Sequence, residues 1–250
     1  MAGRSGSTRV EVSGSPERPR IRTSSGMLAA RILSGPTATA DPVRVALVAT
    51  QALLLGGDHA ELSVRVGAGL DLELVEVGGT VAYDADGRGS AWSADVEIDR
   101  GGRLRWAAEP FVVADGAAVQ RRTGIRLAEE AAAALRETFV LGRTGERGGS
   151  LVARTRVDLV GAPLYAEDLD LSDADLRSRP GVLGPARVLD QLAVFGGRAP
   201  DVAGPSGAGC RRFELDGPGT VIRYLGPELA RSPLADLWQR WRPGLCAVRV

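Results

Sequence analysis

The stretch Leu127–Leu141, LAEEAAAALRETFVL, decides the fold, because its composition and its periodicity disagree. Alanine, leucine and glutamate favour helix by intrinsic propensity. The apolar positions, however, fall in phase with neighbouring segments that alternate apolar and polar residues, and tertiary context overrides propensity in such runs. The stretch therefore reads as the middle of a strand-turn-strand unit, with Ile125 and Leu127 before a turn at Glu129 to Ala132 and Leu135 after it.

Working outward, the same unit occurs upstream at Leu62, Val64, Val66, Gly67-Ala68-Gly69, Leu70, Leu72 and Leu74. It occurs again at Val96, Ile98, Gly101-Gly102, Leu104 and Trp106, and downstream at Val157, Leu159, Gly161-Ala162-Pro163 and Leu164. Period-two alternation marks half-buried strands, and short glycine-containing connections read as hairpins or bulges. Recurrence at roughly 30-residue intervals is the signature of stacked supersecondary units. The expected fold is all-β: a β-helix-like stack or elongated β-sandwich of repeated strand-turn-strand units, with a short C-terminal helical segment.

The flanks complete a single expected domain over residues 1–250. Alternation begins at Val10 and Val12, in N-terminal strands within residues 1–40, and the β core covers 41–171. Residues 172–225 read as loops and further strands: a short helix near Ser172 to Arg177, a strand-like run Ala186 to Phe195, a loop Ala199 to Gly209, and two strands around the turn Asp216 to Gly219. Within 226–243, Leu234, Leu237, Trp238 and Trp241 recur at helical spacing, with Ser232 as N-cap, Pro233 at the first helical position and Pro243-Gly244 as the stop.

Composition removes several function classes. The chain has 250 residues, 44% apolar and 25% charged, and its formal net charge is +0. All 31 basic residues are arginine. Without lysine there is no Walker phosphate loop and no Schiff base with pyridoxal phosphate. A single histidine, His59, excludes a three-His zinc centre, and the two cysteines, Cys210 and Cys246, are too few and too distant for a zinc knuckle or CxxC pair. A disulfide between them stays open, but with nothing else pointing to secretion they read as buried free thiols of a cytoplasmic protein. The start of the chain lacks the apolar region of a signal peptide, and Val43 to Leu55 is shorter than the ~20 residues that span a bilayer. Balanced charge argues against nucleic acid as a partner, so Arg121 with Arg122, and Arg211 with Arg212, read as solvated strand edges.

No reaction centre emerges from the residues. His59 lacks a GxSxG elbow to serve, and an aromatic share of 4% leaves few rings to stack on sugars. What stands out is acidic residues placed where strands meet tight or apolar features: Asp58 after Gly56-Gly57, Glu109 before Pro110, Glu137 inside an apolar run, Glu146 after Gly145, and Glu167 after Tyr165. Each reads equally as a turn cap or a partner for arginine. As a set they suit transient contact of a divalent cation with oxygen ligands. At this level a β-solenoid enzyme cleaving glycans through two carboxylates, and a β-rich interaction module without a metal role, both stay open.

The ordered series Leu53-Leu54-Leu55-Gly56-Gly57-Asp58, Gly102 to Pro110 (GRLRWAAEP), Gln120, Thr123, Glu137, Leu141-Gly142-Arg143 and Gly145-Glu146 resembles the UreD (UreH) family of urease accessory proteins. Gly161-Ala162-Pro163-Leu164 with Glu167, and Tyr224-Leu225-Gly226 with LWQRWRP at 237–243, extend the likeness. The resemblance implies a stacked β fold and a scaffold without catalysis, working with UreF, the GTPase UreG (through UreF) and apo-urease. It implies no tightly bound cofactor but nickel(II) in transit through a polar internal passage. Carried onto this sequence, Asp58 and Glu109 lead the passage-lining residues, with Glu137, Glu146 and Glu167 behind them, and Arg143 has a structural or partner-facing part.

Overall fold

The alternating segments form strands whose apolar faces meet between two sheets. A computed structural model describes residues 3–35, 41–200 and 209–241. In chain order the strands are β1 (Ser5–Ser15), β2 (Arg18–Ser24), β3 (Leu28–Ser34), β4 (Val43–Ala49), β5 (His59–Val66), β6 (Asp71–Glu76), β7 (Thr80–Ala82), β8 (Ser90–Ile98) and β9 (Arg103–Ala107). They continue with β10 (Phe111–Val113), β11 (Ala118–Leu127), β12 (Ala132–Leu141), β13 (Ser150–Leu159), β14 (Ala162–Asp170), β15 (Val188–Phe195), β16 (Cys210–Glu214) and β17 (Gly219–Gly226). Among the described residues two α-helices, α1 (Ala174–Arg177) and α2 (Leu234–Trp241), and a 3-10 turn at Leu229–Arg231 accompany them.

The first sheet runs β14-β13-β11-β8-β5-β1-β2, and the second β16-β17-β15-β12-β9-β6-β4-β3. Strands β1, β5, β8, β11 and β13 are parallel and in register; so are β4, β6, β9 and β12 opposite them. The short parallel strands β7 and β10 belong to the second sheet as well, β10 pairing with the end of β12 and β7 with β10. The chain thus winds as a β-solenoid of stacked strand-turn-strand units with a short C-terminal helix, and the alanine-rich stretch is the end of β11, a turn, and β12.

The connections correct one expectation. The first three turns are corners that carry the chain from one sheet to the other; they are not hairpins, and they stack on one another through Gly69 N–H to Arg100 O and Gly101 N–H to Glu129 O. The fourth unit differs: β13 and β14 pair antiparallel within the first sheet. Leu159 faces Ala162, so the loop is Val160-Gly161, both with positive φ (50° and 76°). That is the two-residue turn whose twist matches a hairpin, and it ends the parallel winding.

Register puts inward-facing side chains in rows. Val64, Val96, Ile125 and Val157 form one row of the first sheet, and Val66, Ile98, Leu127 and Leu159 the next. These rows and their counterparts opposite make the main core, where Trp92 and Trp106 meet at 5.9 Å. A second cluster lies on the outer face of the second sheet, where Leu234, Leu237, Trp238 and Trp241 of α2 pack against Val188, Leu192, Val194 and Ile222. The Ser232 hydroxyl accepts from Leu234 N–H and donates to Asp190 Oδ2, fastening the start of α2 to β15. Pro243-Gly244 and Cys246 lie outside the described residues, as does most of the loop after Ala199; Cys210 is a buried free thiol.

Candidate functional site

Two inward-facing rows abandon the apolar pattern. In the first sheet, Leu62 and Ala94 are followed across the register by Thr123, Thr155 and Glu167, and Ala60 and Trp92 by Arg121. In the second sheet, Glu137 of β12 faces Gln191 of β15, which faces Arg223 of β17. Glu76 ends the inward face of β6 after Leu72 and Leu74. The result is a polar seam that crosses the strands inside an otherwise apolar sandwich. Near its middle a cavity of about 20 Å3, room for one water, is lined by Arg121, Thr123, Arg136, Glu137, Thr155 and Gln191 together with apolar neighbours.

Ion pairs organise the seam. Arg121 donates from Nε to Glu137 Oε1 at 2.7 Å, and its Nη2 lies 2.6 Å from the same oxygen. Its guanidinium also sits 3.7 Å from the centre of the Trp92 ring and 5.0 Å from that of Phe111. A carboxylate and aromatic faces together offset what burying a guanidinium costs. At the other end Arg223 donates to Gln191 Oε1 and Glu167 Oε1. Glu76 accepts from Trp106 Nε1 and from the Glu109 N–H, both at 3.0 Å. Burial pushes its carboxyl up to about 7, against the pull of Arg121 and of those two hydrogen bonds. Burial likewise pushes the Tyr165 hydroxyl, beside Glu167, up to about 12.

The five carboxylates singled out by sequence do not converge. Glu137 and Glu167 lie in the seam, each about one-fifth exposed. Glu109 is exposed at its rim, tied by its backbone to Glu76. Asp58 is elsewhere and buried, accepting from Leu55 N–H and from the backbone and guanidinium of Arg4. Burial opposes its charge, yet those hydrogen bonds hold its carboxyl below the ordinary range. Glu146 closes a turn: hydrogen bonds from the Arg143 side chain and backbone hold it down at about 2. Among the described residues no three His, Cys, Asp or Glu side chains are grouped so as to hold a metal ion.

Arg121 overturns the expectation of a solvated edge. Period two sends Arg122 outward to Asp95 and Arg121 into the sandwich, where its side chain is 5% exposed. Arg211 and Arg212 do lie on an edge strand, β16. Sequence reasoning passed over Glu76, Gln191 and Arg223 and placed Arg121 on the wrong face. The signal was available for Glu76 and Arg121, each a charged residue in the apolar phase of an alternating strand.

A sequence model of the UreD urease accessory protein family matches residues 4–249. The chain is 47% identical over 205 residues to "Urease accessory protein UreD 1" of Streptomyces griseus, covering 81% of this chain and 78% of that one. It is 37% identical over 237 residues to "Urease accessory protein UreD" of Frankia alni, covering 86% and 76% of the two chains. To "Urease accessory protein UreD 1" of Saccharopolyspora erythraea it is 36% identical over 215 residues, covering 82% and 84%. With a solenoid of stacked strand-turn-strand units and a family match along nearly its whole length, the chain belongs to the UreD family of urease accessory proteins.

Proposed function

We propose that this chain is a non-catalytic scaffold for urease maturation, acting in the cytoplasm with UreF, with UreG through UreF, and with apo-urease, and that nickel(II) moves as cargo along the polar seam. The observation that carries the reading is the in-register pairing of Glu137, Gln191 and Arg223 inside a UreD-family sandwich. A row of polar side chains running across the strands adds no apolar contact to the core, and it offers oxygen donors at intervals set by strand spacing. Carboxylate, amide and hydroxyl oxygens hold Ni(II) less firmly than imidazole or thiolate, which suits a group that must release its ion. Of the five carboxylates, Glu137 and Glu167, with Glu109 at the rim, are the ones assigned to meet the ion; Asp58 and Glu146 are assigned to hold turns.

Co-purification tests the scaffold. Expressed with UreF, UreG and apo-urease from one genome, the chain elutes with them as one complex; a chain that elutes alone from all three refutes the assignment. E137Q tests the route: the complex still assembles, and nickel-dependent activation of urease falls at least about tenfold, the effect of one lost charged ligand or roughly 1.4 kcal/mol. Unchanged activation removes Glu137 from the path.

A further inference from the structure

We propose that Arg121 is the plug of the seam: its guanidinium occupies the position at Glu137 that a divalent cation would take, so that the ion engages Glu137 only when Arg121 swings away. This inference rests on the proposed nickel route. The site around Arg121 is built for a cation. Trp92, Phe111 and Phe139 place their ring centres 3.7, 5.0 and 5.6 Å from the guanidinium carbon, and aromatic faces attract positive charge.

Both close Arg121 nitrogens address one oxygen, Oε1 of Glu137. Glu137 also lines the cavity. An ion arriving there meets a carboxylate with a positive charge already in contact with it. Two cations on one carboxylate in a poorly solvated site repel strongly, so arrival of the ion and departure of the guanidinium are one event. Before it, Glu137 is kept from retaining stray metal. After it, the tethered guanidinium competes for its old place and drives the ion onward. An arginine suits this part because its charge is permanent.

The test is nickel(II) retention by the full-length chain, measured by equilibrium dialysis. R121Q is expected to gain one retained nickel ion per chain, bound at least tenfold tighter than by the wild type. R121Q/E137Q is expected to lose it, and R121K, which restores a cation, to return to weak wild-type binding. No gain in R121Q overturns the proposal, as does a gain that survives E137Q. Circular dichroism checks folding. Should R121Q not fold, tryptophan fluorescence of the wild type decides: nickel(II) that displaces Arg121 quenches Trp92, the quench disappears in E137Q and shrinks in W92F, and a quench indifferent to both overturns the plug. The two readings separate cleanly. If R121Q gains its ion while urease activation ignores E137Q, the route fails and the plug stands. If activation needs Glu137 but R121Q gains nothing, the plug fails and the route stands.

Discussion

A carboxylate inside this protein is stabilised by whichever donors the backbone brings to it, and Asp58 and Glu76 show the two extremes. Asp58 collects the Leu55 N–H, the Arg4 N–H and the Arg4 guanidinium. D58A strands all of these donors, so it is expected to lower the unfolding free energy by about 3 kcal/mol in urea titrations, whatever it does to urease activation. Glu76 collects two hydrogen bonds but too little opposing charge, and its carboxyl stays up at about 7. The folded protein therefore holds a proton that the unfolded chain releases above an ordinary Glu value near 4.3. The unfolded state binds fewer protons between that value and about 7, so this group's contribution makes stability fall as pH rises through the window and level off above it. E76Q, which cannot ionise, is expected to remove that slope. Melting temperatures of wild type and variant at pH 5 and pH 8 check it: the wild type loses several degrees relative to E76Q, and equal differences at both pH values refute it.

Strands and turns obey simple rules here, and the rules explain what could be read in advance. Ile125, Leu127 and Leu135 keep the phase of the neighbouring units, so β11 and β12 were legible through a helix-prone composition. The difference between a corner and a hairpin was not. Gly67-Ala68-Gly69 and Gly161-Ala162-Pro163 look alike as sequence, yet the deciding feature is a positive φ at Val160, a conformation that β-branched residues rarely adopt. The site was half legible for a related reason. Glu137 and Glu167 announce themselves as charges among apolar residues, but pairing Glu137 with Gln191, 54 residues later in sequence, requires knowing that β15 lies beside β12. Helix α2 offers an element-level test. Leu237 is fully buried against the outer face of the second sheet, so L237A is expected to cost about 3 kcal/mol in thermal or urea unfolding. Strand content in circular dichroism stays constant, because the inter-sheet core does not include that position.

Over the whole molecule, polar contacts divide by location. The outer face of the first sheet carries arginine-carboxylate ladders, such as Arg126 and Arg65 on Glu97 and Arg156 and Arg154 on Asp168, with side chains roughly half exposed. Exposed pairs of this kind contribute little and are screened by salt. E97Q is therefore expected to change the unfolding free energy by less than about 1 kcal/mol, and a larger loss in urea titrations would show that the ladder holds the sheet. Interior pairs are fewer and are fixed by register. Within β12, Glu137 faces the seam while Arg136 and Thr138 face outward, both bonded to Asp190 of β15. That arrangement has a genetic consequence. A single codon inserted in the strand ahead of Arg136 would exchange the two faces, carrying Arg136 and Thr138 inward and leaving Glu137 among the partners of Asp190. One such event would dismantle the seam and the anchorage of α2 together. The same codon added at Val77-Gly78, where Val77 is exposed and Gly78 has open space around it, would bulge outward without disturbing either. Lineages descending from this sequence are thus free to lengthen at such loops and barred from single-residue insertions in β12.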